Sequence, residues 1–100
     1  MIKVTYYIGT NDKDTLKPKL CKKDFIKVFD ELFKDYTLVE AIGRFTNRNN
    51  QTTEELSLIV TTFVDIAYRD EIKKNCDILK LALNQESILV EITESGAIFC

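Results

Sequence analysis

Apolar residues at Ile2, Val4, Tyr6 and Ile8 alternate with Lys3, Thr5 and Tyr7, the period of two expected of a strand with one buried face. After a polar loop, Phe25, Val28, Phe29, Leu32, Phe33 and Tyr36 recur three and four apart. That spacing predicts an amphipathic helix running on to Tyr36, with Lys22, Lys23, Lys27, Asp30, Glu31 and Lys34 as its solvated face. Segments 37–45 and 56–64 are rich in β-branched and aromatic residues and flank the polar stretch 46–55, so they are expected to pair as a hairpin. Ile72, Cys76, Leu79 and Leu83 predict a second helix from about Ile66 to Asn84. A last strand follows, with Ile88, Val90 and Ile92 on one face and Leu89, Glu91 and Thr93 on the other.

The resulting order, β-α-β-β-α-β, predicts an α+β, ferredoxin-like domain spanning residues 1–100: a four-stranded antiparallel sheet ordered 4-1-3-2 with two helices on one face. Phe29 belongs to the core between helices and sheet. The opposite face carries Thr5, Tyr7, Ile59, Thr61, Phe63 and Leu89. So many apolar side chains on an open face predict a covered surface with Tyr7 and Phe63 as anchors. The expected cover is a second copy of the chain in a two-fold dimer, and otherwise a host protein.

Composition narrows the classes. At 100 residues, with 45% apolar and 30% charged residues, the chain has the balance of one folded domain. Lysine and arginine number 14 against 16 acidic residues, so the net charge offers no general attraction to phosphate or anionic lipid. No apolar run is long enough to cross a bilayer, and the first residues lead directly into a strand pattern. The expectation is a cytoplasmic protein without a membrane partner. Cys21, Cys76 and Cys100 are widely spaced and odd in number, which argues against a disulfide framework or a zinc site. Cys76 falls on the apolar helix stripe, whereas Cys100 is expected to be an oxidisable thiol.

Candidate chemistry concentrates in the loop Asn11, Asp12, Lys13, Asp14 and Thr15. An EF-hand pattern fails, because Leu16 takes the next ligand position and the glycine and distal glutamate are missing. The loop therefore reads as turn chemistry, in which Asn and Asp side chains bond nearby backbone, and neither a metal nor a cofactor is expected. Antiparallel pairing of the first and last strands places this loop beside Gln85 and Glu86, giving one candidate binding site. Recognition of RNA by the sheet is disfavoured, since the third strand has no glycine, no basic residue and Phe63 as its one aromatic. Without histidine there is no His-based triad, and no nucleophile-elbow or P-loop pattern occurs. Glu40 and Arg44, opposite Glu54 or Glu55, read as an ion pair across the hairpin.

In order along the chain, "YYIGTNDKDT", "AIGRF", "EELSLIV" and "LNQESILVE" resemble a family of small phage, plasmid and bacterial proteins of unknown function. The likeness covers nearly the whole chain and rests on Gly9, residues 11–15, Gly43, Glu55, Ser57 and residues 84–87. Many relatives have a second glycine in the hairpin turn, where this chain has "NRNNQTT", so a longer, less regular turn is expected. The resemblance implies no catalytic mechanism. Its context implies a non-enzymatic phage or mobile-element protein that binds a host protein or complex, such as an inhibitor of CRISPR-Cas defence. The alternatives are a small-molecule-binding module like the ACT domains and a small dimeric α+β barrel enzyme.

Overall fold

The computed structural model describes residues 1–94, 96 and 97; Cys100 lies outside them. In chain order the elements are β1 (Ile2–Gly9), α1 (Lys22–Leu32), β2 (Thr37–Thr46), β3 (Thr52–Val64), a 3-10 turn (Ile66–Tyr68), α2 (Asp70–Leu83) and β4 (Leu89–Glu94). The four strands form one antiparallel sheet ordered β2-β3-β1-β4. This is the predicted order, and the two central strands are β1 and β3.

Alternation along β1 decides which face is which. Ile2, Val4, Tyr6 and Ile8 are buried with Leu58 and Val60 of β3 and with Phe25, Phe29, Ile72, Leu79 and Leu83 of the helices. Both helices therefore cover the same face. The register Tyr7↔Ile59, Thr5↔Thr61 and Tyr7↔Leu89 puts the intervening residues on the other face, because directly paired residues of antiparallel strands share a side. Among the described residues, no helix is long and apolar enough to cross a membrane.

Two helix boundaries differ from the sequence pattern. Helix α1 stops at Leu32, and Phe33 is already extended, yet Phe33 and Tyr36 still reach the core. Their rings pack edge-on to one another at 5.9 Å, and Tyr36 meets Phe29 at 6.1 Å. A turn returning over its own helix mimics helical spacing. Helix α2 begins at Asp70, because the Asp65 side chain accepts the Ala67 N–H at 3.0 Å and closes a separate 3-10 turn first.

The hairpin turn is short, with pairing continuing to Thr46↔Thr52. Asn47 Oδ1 accepts the N–H groups of Asn49 and Gln51, and Asn50 takes the left-handed backbone at φ 58°. Asparagine tolerates that region and supplies the bonds locally, so no second glycine is needed. The predicted ion pair forms between Arg44 and Glu54 at 3.1 Å, while Glu40 pairs with Lys22 of α1.

Phe29 is fully buried, against Phe25, Phe33 and Tyr36. Phe29→Ala is expected to lower the unfolding free energy by about 3–5 kcal/mol in urea denaturation; an unchanged midpoint would mean that α1 is docked differently.

Candidate functional site

Small residues shape the open face. Gly9 of β1 and Ala41 of β2 both pair with Ser57 of β3, and Gly43 of β2 pairs with Glu55. These neighbouring positions carry little or no side chain, so the sheet surface sinks between taller groups. Tyr7, Ile59 and Leu89 rise on one side and Phe45 on another, with the β1–α1 loop closing an end. The depression measures about 560 Å³, within the usual range for small-molecule sites.

Glu55 occupies the floor, where its carboxylate is half-buried and accepts the Asn11 main-chain N–H on Oε2 at 2.7 Å. A side chain on Gly9 could not coexist with this arrangement, since a Cβ there would lie 2.3 Å from Glu55 Oε1. Burial pushes the Glu55 carboxyl above the ordinary glutamate range, and the Asn11 N–H offsets part of the rise. Beside it, Ser57 is buried, and among the described residues its hydroxyl has no hydrogen-bond partner.

The loop above the floor is tied to the end of α2. Asp12 Oδ1 accepts the N–H groups of Asp14 at 2.8 Å and Thr15 at 3.3 Å, together with the Asn84 side-chain amide at 2.8 Å. The Asp14 and Asn84 donors, with Thr15, hold the Asp12 carboxyl below the usual range against the opposing effect of burial. Asn84 also donates to Asp14 Oδ2 at 2.8 Å, and its carbonyl accepts the Lys13 N–H at 3.0 Å. Asn84 adopts a left-handed backbone at φ 47°, and the Gln85 N–H returns to Lys80 O to close the helix. Gln85 Nε2 then bonds Asn11 O, securing from the far side the peptide segment that holds Glu55. Leu16 in the same loop has φ 60°, an unfavourable conformation for a non-glycine residue that the surrounding bonds enforce.

Most of the residues singled out in the sequence thus meet at one place. Asn11, Asp12, Lys13, Gln85, Glu86 and Tyr7 border the depression. Asp14 and Thr15 shape the loop behind it. Glu86 pairs with Arg48 of the hairpin turn rather than with the loop, and the Tyr7 hydroxyl donates to Glu91 at 3.2 Å. Phe63 stands apart, paired with Lys3 farther along the sheet. Of the two glutamates the sequence offered for the ion pair, Glu54 or Glu55, only the first takes it, and the placement of Glu55 in the depression was missed. Arg44 takes Glu54, and alternation turns Glu55 to the opposite face. The signal was the Glu55–Ser57 spacing of two, opposite Gly9 and Gly43.

No family model matches the chain, and no curated protein matches it in sequence. Among solved structures it is similar to a phage SAM lyase in complex with S-methyl-5′-thioadenosine, at TM-score 0.77 and 22% identity, covering 95% of this chain and 81% of that one. It is likewise similar to a phage SAM lyase in the apo state, at TM-score 0.75 and 22% identity, with 93% and 79% covered. The fold is therefore one found in phage proteins. These neighbours correct the expectation of a non-enzymatic, host-binding inhibitor of the anti-CRISPR kind, because the same architecture carries an enzyme. The physical reason is visible on the open face. Glycines hollow it around a carboxylate, whereas the sequence pattern suggested an apolar surface covered by a protein partner. Absence of histidine excludes histidine chemistry only.

Two outcomes follow from these contacts. A carboxyl whose folded pKa is raised destabilises the fold once ionised, so the penalty is absent below the unfolded value, grows as pH rises from there, and is complete above the raised folded value. Glu55→Gln is accordingly expected to melt higher than the original chain at pH 7 and to match it in acid beyond the ordinary glutamate range. Asn84→Gly keeps the left-handed backbone but removes both amide donors. Its urea midpoint should fall at neutral pH, and the Asp12 carboxyl, followed by NMR titration, should move up toward its ordinary value.

Proposed function

We propose that the chain binds S-adenosylmethionine (SAM) on the open sheet face and cleaves it, releasing S-methyl-5′-thioadenosine. The observation that carries this reading is the half-buried Glu55 carboxylate, seated over Gly9 in a depression of small-molecule size. Its support from outside the chain is the shared fold of the phage lyases.

The chemistry suits the residues present. Release of the thioether breaks the bond between sulfur and the γ-carbon of the amino-acid moiety, and the electron pair goes to sulfur. The sulfonium loses its positive charge. If the substrate's own carboxylate displaces the thioether at that carbon, a lactone forms and no proton moves. Such a step requires neither a histidine nor a metal. What the protein must supply is a folded substrate conformation and a setting that favours charge loss.

Glu55 is assigned to orientation. A carboxylate directly against sulfur would stabilise the charged substrate more than the transition state, which retards the reaction. Its two oxygens instead match the neighbouring hydroxyls of the ribose, as acceptors for a pair of donors. The sulfonium then lies toward the apolar wall of Tyr7, Ile59 and Leu89, where a cation is poorly solvated and its neutral product is not.

Incubation of the purified chain with SAM, followed by chromatography, is expected to show S-methyl-5′-thioadenosine accumulating above the uncatalysed rate. Glu55→Gln should reduce kcat/KM by about 100-fold, the order of loss that misplacement of a substrate brings. The ionised carboxylate predominates only above the raised folded pKa of Glu55, so activity should decline as pH falls through that value, above the ordinary glutamate range. Product formation indistinguishable from buffer alone would overturn the proposal.

A further inference from the structure

The Ser57 hydroxyl is unusual in being both buried and unpartnered. The residue is 6% exposed, it borders the depression, and Oγ makes no hydrogen bond among the described residues. Leaving a buried hydroxyl without a partner is unfavourable relative to alanine. Its surroundings show what stands next to the hydroxyl. A Cβ on Gly43 would lie 2.3 Å from Ser57 Oγ and 2.5 Å from Phe45 Cε2. The hydroxyl and the edge of the phenyl ring thus crowd the same vacant position above Gly43. Phe45 is 42% exposed, so its ring has solvent to swing into.

We infer that Ser57 is a specificity-determining contact for the purine base, its hydroxyl bonding a ring nitrogen once a planar ligand takes the place of the Phe45 ring over Gly43. This rests on the proposed binding of an adenine nucleoside at this face, and it assigns the base to one end of the depression. A floor of small residues, Gly9, Ala41, Gly43 and Ser57, leaves room for a planar ring, as it already leaves room for the edge of a phenyl group. Glu55 is two residues along the same strand and on the same side, so ribose at Glu55 leaves the base over Ser57. A hydroxyl serves as donor to a ring nitrogen, a polar role that the apolar Phe45 ring cannot fill. The unsatisfied hydroxyl becomes satisfied on binding.

The test is isothermal titration of Ser57→Ala and the original chain with S-methyl-5′-thioadenosine and its 1-deaza, 3-deaza and 7-deaza analogues. Ser57→Ala should weaken the parent nucleoside about five- to tenfold, the usual loss for one neutral hydrogen bond. One deaza analogue should show that weakening already on the original chain and lose nothing further on the variant. The melting temperature of the empty Ser57→Ala chain should be equal or higher. Equal losses for the parent and all three analogues, or no loss for any, would overturn the assignment while leaving nucleoside binding intact. A melting temperature lowered by several degrees would mark Ser57 as a structural group and also overturn it. Failure of the original chain to bind the parent nucleoside would remove the functional reading and this inference together.

Discussion

The hydrogen bond from the Asn11 main-chain N–H to the Glu55 carboxylate joins the two halves of the site. It draws a charged group to the floor of a sheet and supplies one of the bonds that a half-buried carboxylate needs. Everything around it serves to keep that amide in place. Gln85 bonds the carbonyl of the same residue, Asp12 organises the turn that follows, and Asn84 ties the turn to α2. The empty side-chain position at Gly9 leaves the carboxylate its room. The end of α2 is thus linked to Glu55 through Asn11.

Unfavourable features gather in this region while the helix-side core is regular. Leu16 has a positive φ, Ser57 has an orphan hydroxyl, and Glu55 is partly desolvated. On the opposite face, Val4, Ile8, Phe29, Val60, Leu79 and Leu83 are fully buried. Such a division is expected when a small domain holds a site: the core supplies the stability that the site costs. It also accounts for the apolar residues of the open face. Tyr7, Ile59 and Leu89 form one wall of a depression on that face.

Much of the architecture was legible in the chain because strand and helix periodicities report local geometry. The alternation of Ile2, Val4, Tyr6 and Ile8 determined the buried face of β1, and with it the contrary side of Tyr7, Ile59 and Leu89. Where distant residues substitute for a local pattern, legibility ended. Phe33 and Tyr36 keep helical spacing but sit past the end of α1, and Asp65 converts the expected start of α2 into a separate turn.

For the site, the sequence by itself determined the polar loop from Asn11 to Thr15, its proximity to Gln85, and the absence of any histidine. Only the tertiary structure decided what Glu55 and Ser57 do. Sequence spacing shows that they share a face, but whether a carboxylate is solvated depends on what lies beside it on the next strand. Here β1 places Gly9 and β2 places Gly43 against them, so one group is desolvated and the other orphaned by residues 46 and 14 positions away. Desolvation is set by neighbours in space, and these neighbours become adjacent only when the strands pair.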